Sequence, residues 1–302
     1  VIALLAPGQG AQTEGMLSPW LELPGAADQL ALWSKTSGLD LVRLGTTAST
    51  EEITDTAVTQ PLVVANTLLA HQELTRRGLL SGADIIVAGH SVGEIAAYAI
   101  AGVLAADDAV ALAATRGAEM AKACALEPTG MSAVLGGDEA EVLSRLEELE
   151  LFPANRNAPG QIVAAGPLAS LEKLAEDPPA KARVRALGVA GAFHTKHMAP
   201  ALDGYAAAAA AVVTAEPTVT LLSNRDGKPV ASAAAAMDTL VAQLTQPVRW
   251  DLCTDYLRAH DVTAIVEFPP AGTLTGIAKR ELRGVTARAV KSPADLDELA
   301  NL

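Results

Sequence analysis

One serine in this chain stands where a serine can act as a nucleophile. The β-branched run at 85–87 stops at Gly89, and a helix-forming run follows Gly93. Ser91 lies between the two glycines, which gives the G-x-S-x-G pattern in a strand–turn–helix context. Such a turn is strained and directs the serine Oγ outward, while backbone N–H groups at the helix start can hold an oxyanion. A glycine-rich turn with an incidental serine is the alternative, which the flanking strand and helix disfavour.

A serine hydroxyl is a poor nucleophile unless a base removes its proton, so the histidines matter next. There are five: His71, His90, His194, His197 and His260. His194 is the favoured base because it follows a strand-like segment, at the edge of the expected sheet where ligands bind. The others lie within an apolar helix, beside the serine, one turn further on, or at a helix end. No acidic residue stands out as a third member, so the residues predict a Ser–His pair oriented by an unspecified group.

An arginine on an apolar helix face is the second unusual feature. The segment 105–126 is predicted to be helical, and Arg116 lies four residues from both Leu112 and Met120. A guanidinium directed inward needs an anion, because an unpaired buried charge is too costly to keep. The anion could be a ligand or an acidic residue elsewhere in the chain, and the sequence alone leaves both open.

The first loop offers backbone donors without matching a nucleotide motif. A short apolar strand at 1–6 runs into a loop that contains Gly8, Gln9 and Gly10. Thr13 stands where G-x-G-x-x-G requires its third glycine, and no P-loop pattern occurs. The loop still places N–H groups at the carboxyl end of a strand, where α/β sheets bind ligands. A plain strand-to-helix turn is the alternative.

Composition restricts the class of protein. The 302 residues are 50% hydrophobic but 3% aromatic, and the net charge of −13 argues against broad binding to nucleic acid or anionic membranes. No apolar run reaches the roughly 18–20 residues of a membrane span, and no charged signal-peptide start is present. Cys124 and Cys253 show no metal-ligand spacing and fit a reducing cytoplasm. We therefore expect a cytoplasmic α/β protein without a metal site.

The pattern of predicted elements divides the chain into two parts. Between a composition shift at 127–130 and residue 190, strands and helices alternate as β-α-β-β-α-β, with helices at 138–151 and 168–176. This predicts a ferredoxin-like subdomain at 127–190, with a sheet of its own, inserted into a larger domain formed by 1–126 and 191–302. In the larger domain we expect helices opening at Gln60-Pro61 and spanning 240–250, and an end to the fold at 269–272.

Six motifs in order resemble a known family. They are Gly8-Gln9-Gly10-Ala11-Gln12, Gly89-His90-Ser91-Val92-Gly93-Glu94, Arg116-Gly117, Asn157-Ala158-Pro159-Gly160-Gln161, Gly191-Ala192-Phe193-His194 and Gln246-Pro247-Val248-Arg249-Trp250. The chain resembles the malonyl-CoA:acyl carrier protein transacylases of bacterial type II fatty acid synthesis, and also the acyltransferase domains of polyketide synthases. The resemblance covers essentially the whole chain. It implies an α/β-hydrolase-like domain carrying a ferredoxin-like subdomain.

The resemblance also implies roles for individual residues. Ser91 would be the acylated nucleophile and His194 its base, with the backbone carbonyl of Gln246 orienting the imidazole. The N–H groups of Gln9 and Val92 would form the oxyanion hole.

Substrate selection is implied by a further group of residues. Arg116 would bind the malonyl carboxylate. The remaining pocket residues would be Gln12, Met120, Phe193, Asn157 and Gln161. Phe193 before the histidine matches the malonyl-type signature, since methylmalonyl-selective domains typically carry serine there. Thr195 departs from the usual serine.

The implied reaction is a two-step transfer. The malonyl group would pass from malonyl-CoA to Ser91 and then to the phosphopantetheine thiol of acyl carrier protein, with ping-pong kinetics. No cofactor would be bound, because CoA thioester and phosphopantetheine are substrates. We expect a monomer, with extender units going to fatty acid synthesis and the polyketide pathway left open. Lys181, Arg183 and Arg185 alternate along one strand face and could meet an acidic carrier protein.

Two other functions compete with this interpretation. A serine hydrolase such as a thioesterase shares the strand–turn–helix serine, but it has no need of an inward arginine and usually shows an acidic third residue. A non-catalytic module that docks carrier protein would not need Ser91, His194 and Arg116 together.

Overall fold

Two five-stranded sheets organise the chain, which the computed structural model describes from residue 1 to residue 302. The strands are β1 (Ile2–Ala6), β2 (Ile85–Gly89), β3 (Thr129–Gly136), β4 (Phe152–Ala158), β5 (Gln161–Pro167), β6 (Ala182–Ala186), β7 (Thr220–Leu221), β8 (Val248–Arg249), β9 (Ala264–Glu267) and β10 (Thr286–Ala289). The protein is therefore of the α/β class, as predicted.

Twelve α-helices cover the sheets. They are α1 (Ala26–Ser37), α2 (Leu41–Thr46), α3 (Thr50–Thr54), α4 (Thr56–Arg76), α5 (Gly93–Ile100), α6 (Ala106–Cys124), α7 (Glu139–Glu148), α8 (Leu168–Glu176), α9 (Leu202–Ala210), α10 (Ala233–Ala242), α11 (Trp250–Ala259) and α12 (Thr273–Glu281). Three 3₁₀ segments join them, at Lys196–Ala201, Gln243–Thr245 and Pro293–Asn301. No helix combines the length and the apolar character needed to cross a membrane.

The first sheet is parallel and has the strand order β10-β9-β1-β2-β7. Alternate side chains of β1 enter two different cores: Ile2 and Leu4 join a cluster of 57 buried residues, and Ala3 and Leu5 join one of 16 on the other face. Because both faces are covered, the inner strands β1 and β2 are continuously apolar. The carboxyl ends of β1, β2 and β7 meet at one edge, which positions the loops that follow them.

The second sheet is mostly antiparallel and has the order β6-β3-β5-β4-β8. Residues 127–190 supply β3, α7, β4, β5, α8 and β6 in the predicted order. A small core of eight buried residues lies within this region. We expected this segment to form a sheet of its own, and that expectation was wrong. Strand β8, from beyond residue 191, pairs with β4 in parallel and adds a fifth strand.

Helix α4 begins earlier than the sequence predicted. Its N-cap is Asp55, whose side chain accepts a hydrogen bond from the Ala57 N–H, so Gln60 and Pro61 lie inside the helix. The early cap and the nearly complete burial of this 21-residue helix outweigh the backbone donor missing at Pro61. Gln60 thereby becomes a buried side chain that faces α6.

The predicted helix at 240–250 was wrong in its placement. Helix α10 ends at Ala242, a 3₁₀ turn follows, and Gln246 is extended with φ −120° and ψ 148°. A proline disfavours helical geometry at the residue before it, so Pro247 keeps Gln246 out of the helix. The fold also continues past 269–272, where the exposed edge strand β10 and helix α12 lack a strong apolar signal.

Candidate active site

The turn between β2 and α5 holds Ser91 in a left-handed conformation, with φ 55°. A Cβ at Gly89 would collide with the carbonyl of Gly93, and a Cβ at Gly93 would collide with the carbonyl of Ala6. The two glycines therefore allow helix, turn and strand to approach closely. The predicted strand–turn–helix context of the serine is confirmed.

Ser91 and His194 form a hydrogen-bonded pair. The Ser91 Oγ lies 2.8 Å from His194 Nε2, and His194 Nδ1 lies 2.8 Å from the backbone carbonyl of Gln243. A carbonyl can only accept, so the proton of the neutral imidazole is on Nδ1 and Nε2 is free to accept from the serine. The geometry is that of a nucleophile beside its general base.

The carbonyl that orients His194 belongs to Gln243, so the expectation of Gln246 was wrong. The carbonyls of a last helical turn have lone pairs left for side chains, and the 3₁₀ turn at Gln243–Thr245 ends this helix. The Gln243 carbonyl also accepts the Gln246 N–H at 3.3 Å. Pro247 holds Gln246 extended, beyond that end. A proline disfavours helical geometry at the residue before it, and this signal could have moved the predicted carbonyl from Gln246 back to Gln243.

Burial makes His194 a base that is neutral at ordinary pH. The residue is 3% exposed, and burial lowers its pKa to about 3. The Arg116 cation also lowers this pKa, while the hydrogen bond with the Gln243 carbonyl raises it. The imidazole is thus unprotonated and ready to accept a proton from Ser91.

Arg116 is fully buried without a carboxylate partner. Its Nη1 donates to Gln60 Oε1 and its Nη2 to Gln243 Oε1, both at 2.8 Å, and its Nε has no partner. No acidic side chain lies within ion-pair distance, so the structural ion pair left open by the sequence is absent. Burial lowers the pKa of Arg116, but neutral amides alone satisfy it. Glu94 lies near enough to raise this pKa in turn, but no carboxylate contacts the guanidinium, so a buried positive charge remains available to an anionic ligand.

Asn224 supports the nucleophile turn from below. Its Oδ1 accepts the Ser91 N–H at 2.9 Å, and its Nδ2 donates to the Gly89 carbonyl at 2.7 Å. Its own N–H donates to Glu94 Oε1 at 2.7 Å. The sequence analysis missed Asn224 because it searched for acids and histidines. The available signal was its place just after β7, which neighbours β2.

The loop after β1 lies beside Ser91. The Gln9 Nε2 donates to Thr56 Oγ1 at 3.4 Å, and its Oε1 is buried without a partner. The N–H groups of Gln9 and Val92 donate to no other protein group, which leaves both free. The Gln12 side chain turns back and accepts the Gly10 N–H at 2.7 Å.

The other predicted pocket residues separate into two groups. Met120 and Phe193 are buried in the same core, and the Met120 sulfur accepts from Gln60 at 3.4 Å. Asn157 Oδ1 lies 2.8 Å from His90 Nε2, which explains why that histidine is not the base.

Gln161 is the predicted pocket residue that lies elsewhere. Its Oε1 accepts from Arg280 at 2.8 Å, and no hydrogen bond joins it to Ser91, His194 or Arg116. No group of three or more histidine, cysteine or acidic side chains is arranged to hold a metal ion.

A serine activated by a neutral histidine is the arrangement used for acyl transfer through an ester intermediate. Residues 4–295 match the acyl transferase domain family. A curated relative from Mycobacterium bovis, named malonyl CoA-acyl carrier protein transacylase, is 85% identical over 302 residues and covers 100% of both chains. The chain therefore belongs to the acyl transferase domain family and, within it, to the malonyl CoA-acyl carrier protein transacylases.

Solved structures agree with this assignment. The crystal structure of MCAT from Mycobacterium tuberculosis shares 86% identity and a TM-score of 0.98, with 99% of each chain covered. A type II PKS acyl-carrier protein in complex with its malonyl-transacylase matches with 30% identity and a TM-score of 0.93, again with 99% of each chain covered.

Proposed function

We propose that this chain transfers a malonyl group from malonyl-CoA to the phosphopantetheine thiol of acyl carrier protein, for fatty acid synthesis and, where that pathway exists, polyketide synthesis. The observation that carries the proposal is the Ser91–His194 pair beside a buried Arg116 with no carboxylate partner. Relatives named for this reaction at 85% identity support it, as does a similar structure solved with its carrier protein.

In the first half-reaction Ser91 Oγ attacks the thioester carbonyl carbon while His194 Nε2 takes its proton. The Gln9 and Val92 N–H groups donate to the oxyanion of the tetrahedral intermediate. The Gln243 carbonyl accepts from the imidazolium and stabilises its charge. The intermediate then collapses, the C–S bond breaks, and His194 returns the proton to the CoA sulfur.

In the second half-reaction the thiol of phosphopantetheine is the attacking group. His194 takes the thiol proton, and the sulfur attacks the malonyl-serine ester. The C–O bond breaks, and the proton returns to Ser91 Oγ. Ser91 is regenerated, and two substrates share one site in turn, which gives ping-pong kinetics.

Arg116 would select malonyl over acetyl. A malonyl carboxylate supplies the negative charge that the neutral amides of Gln60 and Gln243 do not. An acetyl group would leave the guanidinium buried and unpaired, which is unfavourable. We place Met120 and Phe193 as apolar walls of the pocket.

We further propose a division into an α/β-hydrolase-like domain at 1–126 and 191–302 and a ferredoxin-like subdomain at 127–190. The β-α-β-β-α-β order and the strand arrangement β6-β3-β5-β4 support the second assignment. The His90–Asn157 hydrogen bond would then join the two beside the nucleophile.

The proposal includes a cytoplasmic monomer that needs no resident cofactor, since CoA thioester and phosphopantetheine are substrates. Lys181, Arg183 and Arg185 are all exposed, at or beside the edge strand β6, and are the candidates to meet an acidic carrier protein.

The experiment is mass spectrometry of the protein after incubation with malonyl-CoA, followed by addition of holo acyl carrier protein. We expect a malonyl adduct on the Ser91 peptide that moves to the carrier protein, with no adduct on a Ser91→Ala variant. Free malonate in place of malonylated carrier protein would indicate a hydrolase. The absence of any adduct would indicate a docking module.

A further inference from the structure

A buried carboxylate lies beneath the nucleophile. Glu94, in the first turn of α5, is 1% exposed, and no lysine or arginine lies within ion-pair distance of it. Its Oε1 accepts the Asn224 N–H at 2.7 Å, and its Oε2 accepts from Gln243 Nε2 at 2.6 Å. The start of α5 favours a negative charge, but the proposed acyl transfer does not itself use a carboxylate here. A buried, unpaired charge is costly, so its retention calls for a function.

The side-chain amide of Gln243 lies between this carboxylate and the Arg116 cation. Its nitrogen end donates to Glu94 and, at 3.1 Å each, to the Ser91 carbonyl and Asn224 Oδ1. Its oxygen end accepts from Arg116 Nη2 at 2.8 Å. The same residue offers its backbone carbonyl to His194. Gln243 therefore contacts the anion, the cation and the base at once.

We propose that Glu94 is a positioning residue: it fixes the orientation of the Gln243 amide and thereby presents Arg116 to the malonyl carboxylate as an available cation. The inference rests on the proposed function, since it assigns a cause to the malonyl selectivity of that site.

The two charges favour the same orientation of the amide as its neutral acceptors, the Ser91 carbonyl and Asn224 Oδ1. If the Gln243 amide were flipped, its N–H groups would face the guanidinium of Arg116 and its oxygen would face the carboxylate of Glu94. Both contacts would be repulsive in a medium that screens charge poorly. The amide also keeps the charges apart. A direct Glu–Arg ion pair would neutralise the cation before a substrate arrived.

The ionisation of Glu94 depends on the same contacts. Burial raises the pKa of Glu94 to about 7, while the Asn224 N–H, the Arg116 cation and the Gln243 amide lower it. Assays at about pH 8 therefore keep this carboxylate ionised.

The first test is Glu94→Gln, which preserves shape and can still accept the Asn224 N–H. It presents an amide nitrogen to Gln243 Nε2, so the Gln243 amide keeps only neutral acceptors and its orientation is less firmly fixed. We expect kcat/KM for malonyl-CoA to fall about 10- to 100-fold, mainly through KM, as a hydrogen bond between charged partners is lost. Acylation by acetyl-CoA, and labelling of Ser91 by a neutral fluorophosphonate, should fall much less. An equal fall for both acyl donors, or no change in their ratio, would overturn the inference.

The wild-type protein separates failure of the inference from failure of the proposed function. If wild type shows no preference for malonyl-CoA over acetyl-CoA, the proposed function fails whatever Glu94 does. If wild type prefers malonyl-CoA and Glu94→Gln keeps the full preference, the inference alone fails.

A charge-swapped double variant, Glu94→Gln with Gln243→Glu, distinguishes positioning from packing. It restores a donor–acceptor contact between positions 94 and 243 and retains the net charge. It also places a carboxylate directly on Arg116 and removes the donor to the Ser91 carbonyl and Asn224 Oδ1. We expect the malonyl preference to stay lost, because the new carboxylate pairs with Arg116 before a substrate arrives. Recovery of the preference would mean that Glu94 acts by packing alone, and the inference would be wrong.

Glu267→Gln is the matched control. Glu267 is also a fully buried carboxylate, and it accepts hydrogen bonds from the Gly272, Leu274 and Thr275 N–H groups at the start of α12. We expect this variant to lower Tm without changing the ratio of malonyl to acetyl rates. A similar change of ratio in the control would show that the readout reports general destabilisation, and the inference would lose its support.

Discussion

Charged side chains have opposite environments at the two sheets of this protein. At the carboxyl edge of the parallel sheet, Arg116, Glu94 and His194 are buried, and each is held by neutral amides or backbone groups. Around the second sheet, charged side chains pair directly with each other at the surface. Arg145 contacts both Glu148 and Asp177, and the Asp177 side chain is 83% exposed.

The contrast distinguishes charges with a chemical role from charges that are merely solvated. An exposed ion pair is screened by water and contributes little free energy. A buried charge without an opposite partner costs free energy, and it gains most from a ligand that supplies the missing charge. At the edge of the parallel sheet, the buried Arg116 guanidinium therefore has no anion in contact with it, and the carboxylate of a substrate can supply one.

The largest expected effect is at the base. His194→Ala should slow acylation of Ser91 by malonyl-CoA by about 10²–10⁴-fold, since general base catalysis is lost. His197→Ala is the control, because that histidine lies three residues on and contacts Glu127 instead. Single-turnover mass spectrometry would measure both rates. Equal losses in the two variants would contradict the pairing of Ser91 with His194.

Arg116 gives the next largest effect and tests the unsatisfied charge itself. Arg116→Ala should reduce malonyl transfer about 10²–10³-fold, since the carboxylate loses its buried partner, while relative acetyl transfer rises. Competition between the two CoA esters would measure the ratio. An unchanged malonyl preference would remove Arg116 from substrate selection.

The pH dependence of Ser91 labelling should show the coupling between the neutral base His194 and the buried cation Arg116. His194 acts as a base only when neutral, so labelling is present above its pKa and is lost as pH falls through it. Because burial and Arg116 lower that pKa to about 3, the acid limb should lie below about pH 5. Arg116→Ala removes a cation that disfavours protonation, and the limb should move to higher pH. The rate of Ser91 labelling by a neutral fluorophosphonate, measured against pH, would test this. Acid limbs near pH 6.5 in both wild type and Arg116→Ala would contradict the prediction.

The smallest effect is expected at the second sheet. Arg145→Ala removes two surface ion pairs and should lower the free energy of unfolding by less than about 1 kcal/mol. Acylation of Ser91 should not change. Urea denaturation would measure the first quantity, and a larger loss would break the distinction between the two sheets.

The serine turn, the choice of His194 and the buried Arg116 were predictable because each follows from local pattern. Glycine spacing, strand ends and helix periodicity are properties of a few neighbouring residues. Gln243 was less accessible, because its carbonyl matters through where a helix ends, and the alanine-rich segment gave that end no clear mark. Pro247 does indicate where the helix ends, because a proline disfavours helical geometry at the residue before it, here Gln246.

Asn224 and Glu94 show a different limit. Neither stands out by type, and their importance comes from contacts across more than 125 residues of sequence, at 2.9 Å to Ser91 and 2.7 Å to each other. Such contacts depend on the pairing of β2 with β7, which periodicity does not specify. The edge strand β10 was missed for a simpler reason, since its side chains alternate between exposed and half-buried without an apolar face.

The left-handed backbone at Ser91 has a counterpart at His194, with φ 55° and 60°. Side chains with a Cβ occupy this region at a cost of roughly 1–2 kcal/mol each, whereas glycine does not. Backbone strain is therefore stored at both positions that carry the proposed chemistry. Relieving this strain with glycine would remove the nucleophile or the base, so any programme of stabilisation must hold these two residues fixed.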